Sequence, residues 1–360
     1  MSSLIVEVCK VDEIEKHPNA DRLSIVTVKG WNCIVGLDQY KQGDLVVFVP
    51  PDSLLPESLI EKYDLTYLKN GGRVGTTKLR GYLSQGLILS LPEGKFKVGD
   101  DVSKVLGITK WEPPISQNQQ QANMISKKKL NPYFDKYTEI ENIKNYSNIF
   151  EPGDKIVITE KIHGSNWRAG NLPIVIDKSQ PITYRLKAWF SKLFGDTHQF
   201  VYGSHNVQLH GKSKTTNFYG EDLWGKICNK YDMINKIPEG YIIYGEVYGV
   251  GVQDLTYGLK DVDLVIFDIK YDGKYLPWDK VVEFCKEYNL PTVPILYIGD
   301  FEEGIIDKHT NGKSIICPSQ IREGCVVKDL YEKQHKRLGR KILKSVSPNY
   351  LLRKNGTEYQ

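Results

Sequence analysis

The stretch Val157-Ile158-Thr159-Glu160-Lys161-Ile162-His163-Gly164-Ser165-Asn166 concentrates side chains that could do chemistry. An apolar, β-branched run leads into a single lysine, a glycine three residues later permits a tight turn, and an asparagine closes it. The pattern sets Lys161 at the end of a buried strand, where an ammonium is costly and its pKa is expected to fall. A desolvated lysine at the mouth of a pocket is a candidate covalent nucleophile. The same spacing also fits a surface strand-to-turn transition, so the assignment leans on the rest of the chain.

Four later stretches could wall a nucleotide pocket. The apolar run 241–249 delivers a lone carboxylate, Glu246. The run 264–269 is a buried strand with a ring, Phe267, near its end. Residues 322–328 bring Glu323 beside Gly324 and the apolar pair Val326-Val327. Residues 340–344 place Arg340, Lys341 and Lys344 on a final strand. Singly, each reads equally as turn or core; in this order they reinforce one another.

The elements around them divide the chain. Residues 3–108 carry short strands at 4–8, 23–28, 33–36, 45–50, 87–91 and 98–102, separated by Gly, Pro and Asp turns, as in a small Greek-key barrel. Residues 111–131 change character: Pro113-Pro114, a Gln/Asn run at 117–121 and Lys127-Lys128-Lys129 read as an interdomain linker. Residues 133–142 are expected to form a short helical entry to a second domain. Helices are expected over 186–194, 223–237 and 278–288, the last opened by Pro277, and at the start of the basic segment 328–343. The ends after residue 351 should fray.

Composition bounds the partners. With 360 residues, 40% hydrophobic and 26% charged, the chain has room for two or three folded domains. A net charge of +4 permits a nucleic-acid partner without demanding one. Six scattered cysteines without C-x-x-C spacing read as reduced thiols of an intracellular protein. Neither a signal peptide nor an apolar run of membrane-spanning length is expected, so no membrane partner is.

Lys161-x-x-Gly-x-Asn, then Glu246, Phe267-Asp268, Glu323-Gly324 and Lys344, resembles the ordered motifs of covalent nucleotidyltransferases, the superfamily of DNA ligases, RNA ligases and capping enzymes. His163, where DNA ligases and capping enzymes usually carry Asp, points to the RNA ligase branch. The N-terminal barrel, Arg80-Gly81-x-x-Ser84-Gln85-Gly86 and the run 137–142 resemble the fifth family of ATP-dependent RNA ligases, and the stretch 17–23 is similar to one in OB-type tRNA-binding modules. The resemblance covers nearly the whole chain. It implies an α+β fold: an N-terminal OB-type β-barrel over 1–110, a linker over 111–131, and over 132–360 a nucleotidyltransferase (ATP-grasp-like ligase) domain of antiparallel sheets with flanking helices.

It also implies an ATP-dependent RNA ligase that joins 3′-hydroxyl and 5′-phosphate ends through a lysyl-AMP and an adenylylated polynucleotide. A DNA ligase or capping-type enzyme, or a non-catalytic RNA-binding protein keeping the fold, are the alternatives. By matching position, Lys161 is the nucleophile and Lys344 contacts the α-phosphate. Glu160 sits at the adenine edge, Phe267 and Val326 sandwich the adenine, and Glu246, Glu323 and Asn166 hold ribose or a hydrated Mg²⁺ or Mn²⁺. Arg73, Lys78 and Arg80 on the barrel are expected to meet phosphates of RNA or an RNA-containing nicked duplex, with solvated strand-edge charge as the alternative. The protein is expected to be a monomer.

Three departures from the family pattern stand out. Gly203-Ser204-His205 places His205 where related ligases carry a phosphate-contacting Arg, with Arg168 a possible substitute. Ile342 fills a place often held by a second lysine, leaving Lys341 one residue away. Residues 179–200 look like an insertion, either a nucleic-acid flap or a surface helix.

Overall fold

The run Leu45–Val49 is apolar without alternation, and the structure explains it. In the computed structural model, which describes residues 4–68, 71–111, 131–146, 148–178, 180, 182–209 and 222–353, this strand lies between two cores. It pairs antiparallel with Glu7–Lys10 on one edge and Leu87–Leu89 on the other. Val47 and Val49 enter one core with Val6, Val8 and Leu89. Val46 and Phe48 enter the other with Val26, Trp31 and Cys33. A strand buried on both faces needs apolar side chains at every position.

Leu23–Val28 pairs with Glu13–Lys16 and Trp31–Gly36, and a hairpin joins Thr76–Leu79 to Tyr82–Gln85. Its two-residue loop, Arg80-Gly81, has φ of 48° and 96°, the paired positive values of a type I′ turn that suits strand twist. Residues 98–102 differ from expectation: they form a turn with a single bridge, Glu7 to Asp101, and run into the helix Ser103–Leu106.

The described residues cluster into two units. Residues 141–146 and 348–353 belong to the first unit with the N-terminal strands, although the sequence reading placed them in the second domain. Within that unit Lys144 Nζ donates to Gln85 Oε1 at 3.1 Å and lies 4.7 Å from the centre of the Trp31 ring. The expected linker, with its Gln/Asn run and lysine triplet, lies at 112–130, outside the described residues. Of the C-terminal end expected to fray, Pro348–Leu351 is a short helix and 354–360 lie outside them.

The second unit is built on two antiparallel sheets. One runs Ile342–Val346, Gly324–Asp329, Lys155–Lys161, Ile295–Asp300 in spatial order. The other has six strands in the order Gln208–Leu209, His198–Gly203, Ser165–Pro173, Tyr241–Gly249, Val262–Tyr271, Lys274–Tyr275. The helix Trp278–Glu287 follows Pro277 and buries Val281, Phe284 and Cys285. The expected helix over 223–237 is two helices, Leu223–Lys230 and Met233–Lys236, broken where Asp232 turns to φ 53°. Among the described residues no helix is long and apolar enough to cross a membrane.

Two expected helices are absent. Residues 134–140 take no regular secondary structure, because Phe134 and Tyr137 are drawn into a core with Tyr244 and Ile342, and the Thr138 N–H donates to the Tyr275 hydroxyl at 3.1 Å. Residues 328–343 continue a strand, turn through the short pair Gln334–His335 and Gly339–Arg340, and return as Ile342–Val346. Two of their cations, Lys328 and Arg340, are buried, whereas Lys333, Lys336 and Arg337 are exposed. Lys328 Nζ and Arg340 Nη2 donate to the fully buried Asp268 at 3.0 and 2.7 Å. Arg340 also holds Glu332 through two contacts, at 2.7 and 2.5 Å. This network joins Asp268 of the six-stranded sheet to Lys328 of the other.

Candidate active site

Strand register decides which side chains can meet. Lys161 lies opposite Gly324, Thr159 opposite Val326, and Val326 opposite Lys344. Directly paired residues share a face and neighbours along a strand alternate. Lys161, Val326 and Lys344 therefore project from one face of their sheet. In the six-stranded sheet Asn166 pairs with Glu246, so these two also share a face. A register shift between Tyr244 and Gly245 leaves Phe267 as the extra residue of a bulge. Phe267 and Val326, from different sheets, pack on one apolar cluster with Tyr137 and Tyr244, and the Tyr137 and Phe267 rings meet edge-on at 4.7 Å.

Lys161 Nζ donates to Glu323 Oε1 at 2.6 Å. His163 stands beside this pair: its Nε2 is 2.7 Å from Asp254 Oδ1 and its Nδ1 is 4.0 Å from Glu323 Oε2. The His163 backbone N–H donates to the Tyr257 hydroxyl at 2.7 Å. Asp254 and Tyr257 carried no motif and were missed by sequence reasoning; they lie in the 250–261 loop that follows the Glu246 strand.

Gly164 sits at the bend between the strands Lys155–Lys161 and Ser165–Pro173, and it also supplies room: a Cβ there would lie 2.2 Å from the Val247 carbonyl oxygen and 2.9 Å from Glu246 Cγ. Gly324 is constrained in the same way, its Cβ falling 2.1 Å from the Ser345 carbonyl oxygen. Both glycines let the lysine strand and its neighbours close to contact distance.

The electrostatics also differ from expectation. Burial alone would lower the Lys161 pKa, but the carboxylates of Glu323 and Glu246 outweigh it and hold the amine above its ordinary value. Burial pushes Glu246 up to about 8, with Glu323 adding to the rise and Lys161 opposing it. Burial lowers the His163 pKa, against the opposing pull of Glu323 and Asp254.

Several expected site residues lie elsewhere. The Glu160 side chain alternates to the opposite face from Lys161, is buried, and accepts the Ile315 N–H at 2.8 Å through Oε2, while its Oε1 is buried with no hydrogen-bond partner among the described residues. Lys341 pairs with Asp154, which precedes the first residue of the Lys155–Lys161 strand, and so lies at the end away from Lys161. Arg73 is an internal brace of the barrel: it holds Asp52 at 2.5 Å and stacks 3.7 Å from the Trp111 ring. Lys78 and Arg80 are exposed on the hairpin. That hairpin is pinned from the 17–23 turn, where the Asn19 side chain donates to the Arg80 carbonyl at 3.0 Å and the buried His17 ring packs 5.0 Å from Tyr82. His205 pairs with Glu139 at 3.3 Å, and burial lowers its pKa against the opposing pull of that carboxylate. Arg168 is buried and donates to the Ser204 and Phe134 carbonyls at 2.9 and 2.8 Å.

Two buried oxygens in the site, Asn166 Oδ1 and Glu323 Oε2, have no hydrogen-bond partner among the described residues. Among those residues no group of three or more His, Cys, Asp or Glu could hold a metal ion; the oxygen set here is two carboxyls and an amide.

A model of the RNA ligase family matches residues 154–346, more than half of the chain. The chain belongs to the RNA ligase family. A second model, of an OB-fold domain, matches residues 5–91. The fold is accordingly α+β, an OB domain followed by a ligase domain. Solved structures of Naegleria gruberi RNA ligase align over almost the full length. The form with PPi is 25% identical over 97% of this chain and 98% of that one, with a TM-score of 0.71. A lysine-to-alanine variant with ATP and Mn is 25% identical over 96% and 98%, with a TM-score of 0.70. A glutamate-to-alanine variant with ATP and Mn is 26% identical over 97% and 98%, with a TM-score of 0.71. No curated protein matches the chain in sequence at a significant level.

Proposed function

We propose that this RNA ligase uses ATP to join 3′-hydroxyl and 5′-phosphate ends, with Lys161 as the residue that carries AMP. The observation that supports this most directly is the Lys161–Glu323 contact at 2.6 Å, set beside Glu246 and Asn166 at the closed ends of both sheets. The Naegleria ligase structures with ATP and Mn support ATP and a divalent metal as the small-molecule requirements.

The chemistry runs in three in-line phosphoryl transfers. The Lys161 amine forms a bond to the α-phosphorus of ATP as the bond to the β-phosphate oxygen breaks and pyrophosphate departs. A 5′-phosphate oxygen then takes the adenylyl group from the lysine. Finally the 3′-oxygen attacks the activated 5′-phosphorus and AMP leaves. Before the first attack Lys161 must lose its proton, and Glu323 Oε1 is the acceptor within hydrogen-bond distance.

Phe267 and Val326 are positioned to hold the adenine between them, and Lys344, opposite Val326, to contact the α-phosphate. The partnerless oxygens of Asn166 and Glu323, with Glu246, form a hard donor set that fits a largely hydrated Mg²⁺ or Mn²⁺. Such an ion would neutralise charge on the triphosphate. Lys78 and Arg80 are positioned to meet the backbone of RNA or an RNA-containing nicked duplex, and we expect the protein to act as a monomer.

The deciding experiment is incubation of the purified protein with ATP and Mg²⁺ or Mn²⁺, followed by mass measurement. A gain of one adenylate, absent in Lys161→Ala, is expected. A protein that never gains that mass, or a Lys161→Ala variant that still seals RNA ends, would overturn the reading.

A further inference from the structure

The insertion between the strands Ser165–Pro173 and His198–Gly203 forms a helix, Ile182–Leu193, whose outward face is apolar. Ile182, Leu186, Trp189, Phe190, Leu193 and the following Phe194 are each more than half exposed. At about 100° per residue they cover a continuous arc of about 140°. The opposite side is anchored: Tyr184 and Ala188 are buried with Ile174, and Tyr184 is hydrogen-bonded to Gln199. The exposed arc is thus an outer face, not a core face left open by a missing strand.

Charge borders this arc on both sides. Lys187 flanks the Phe194 margin, and Arg185 and Lys192 flank the Trp189 margin, while no acidic residue occurs from 182 to 194. Large apolar side chains on one face, bordered by cations long enough to lift their charges to headgroup level, are the pattern of a helix that lies in the plane of a bilayer surface. Anionic headgroups complement all three cations. The helix is far too short to cross a bilayer, so the contact is with its surface.

Two observations favour a lipid surface over RNA. Half of the arc is aliphatic and offers nothing for bases to stack on. Trp189 and Phe190 meet edge-to-face, with centroids 5.1 Å apart and planes at 74°, so the pair is not a flat platform. The position also separates it from the reaction. Asn166 lies at the start of the nine-residue strand Ser165–Pro173, and the helix emerges beyond its end, about 25 Å away at strand rise.

We propose that the exposed face of Ile182–Leu193 docks in plane on an anionic lipid bilayer surface through its apolar arc, with Arg185, Lys187 and Lys192 at the phosphates. This contact is separate from the ligase reading and stands or falls without it.

The test uses the full chain with vesicles of phosphatidylcholine alone or mixed with phosphatidylserine. Co-sedimentation with the mixed vesicles, weakened by salt, is expected, with a blue shift of tryptophan emission that Trp189→Phe removes while binding persists. Leu186→Glu combined with Phe190→Glu should weaken vesicle binding at least about tenfold, since each substitution puts a charge where apolar area would be buried. Lysine adenylylation should be unchanged, because neither residue is placed in the active site. No binding to the mixed vesicles, or equal binding by the double variant, overturns the proposal. So does a double variant that loses only single-stranded RNA binding, which would assign the face to RNA, or only self-association, which would assign it to a second copy of the chain.

Discussion

Lys161 Nζ donates to Glu323 Oε1 at 2.6 Å, and this contact is one of the influences that hold the amine in its charged form. Burial by itself would favour the free amine, but Glu323 and Glu246 together stabilise the ammonium and hold the pKa above its usual value. The fraction of reactive amine therefore grows as pH rises. Lysine adenylylation, followed by mass or by radiolabelled ATP, should accelerate from neutral to alkaline pH. In Glu323→Gln the residual reaction should begin its rise at lower pH, because one cause of the upward shift is gone. An unchanged profile would show that Glu323 does not govern the amine.

Gly164 is fixed by space. A methyl group at Cβ would lie 2.2 Å from the Val247 carbonyl oxygen, and backbone cannot step aside as a flexible side chain can. Gly164→Ala should push the Lys161 strand away from the Glu246 strand. A displacement near 1 Å at a reacting centre costs about a hundredfold, so adenylylation should fall by at least that factor. The circular-dichroism spectrum of the variant should stay close to that of the wild type, which separates a local effect on the site from unfolding.

Glu246 has a pKa near 8 in the folded chain against an ordinary value of 4.5. Between those values the folded state binds more protons than the unfolded state, so stability falls as pH rises through the window. Glu246→Gln cannot ionise and lacks this slope. Urea unfolding of the ligand-free protein at pH 5 and pH 8 should show the wild type losing more stability than Glu246→Gln, by a few kcal/mol at most. Equal losses would mean that Glu246 is already ionised in the free protein.

The sequence made the lysine strand, its β-branched run and the order of later carboxylates visible, because buried strands carry continuous apolar residues that periodicity detects. It did not show which side chains share a face. Glu160 and Lys161 are adjacent yet point to opposite sides, and Lys341 and Lys344 lie toward different ends of the Lys155–Lys161 strand. Nor did it show that Lys328 and Arg340 are buried. Lys328 and Arg340 resemble the polar face of a helix until Asp268, some 60 residues earlier, is seen to neutralise both. Long-range pairing of this kind leaves no local signal. The pairing of Arg73 with Asp52 was hidden for the same reason, since the two lie 21 residues apart in sequence.

The barrel cations now separate by role. Arg73 is held by Asp52 and Trp111, whereas Lys78 and Arg80 are exposed on the pinned hairpin. Lys78→Ala and Arg80→Ala should each weaken RNA binding and reduce the salt slope by about 0.7 for single strands. Arg73→Ala should leave that slope unchanged and instead lower the melting temperature. Salt titrations of RNA affinity, paired with thermal unfolding, distinguish the two outcomes.

Asp268 is the point where the two sheets of the second unit are tied electrostatically. It is fully buried, accepts from Lys328 and Arg340 at 3.0 and 2.7 Å, and accepts the Tyr137 hydroxyl at 2.8 Å. The two cations hold its pKa below the usual carboxylate value despite burial, which alone would raise it. Removing one partner of such a network leaves charge stranded in a medium that solvates it poorly. Asp268→Ala should therefore cost about 3–5 kcal/mol, as for other broken buried pairs. Because Tyr137 packs against Phe267, the same substitution should loosen the proposed adenine wall, and ATP affinity should fall along with stability. Lys328→Met should cost less, since Arg340 continues to neutralise Asp268. Urea denaturation of the two variants, with ATP binding measured alongside, tests that ordering; a Lys328→Met loss equal to that of Asp268→Ala would show that Arg340 alone cannot hold the carboxylate.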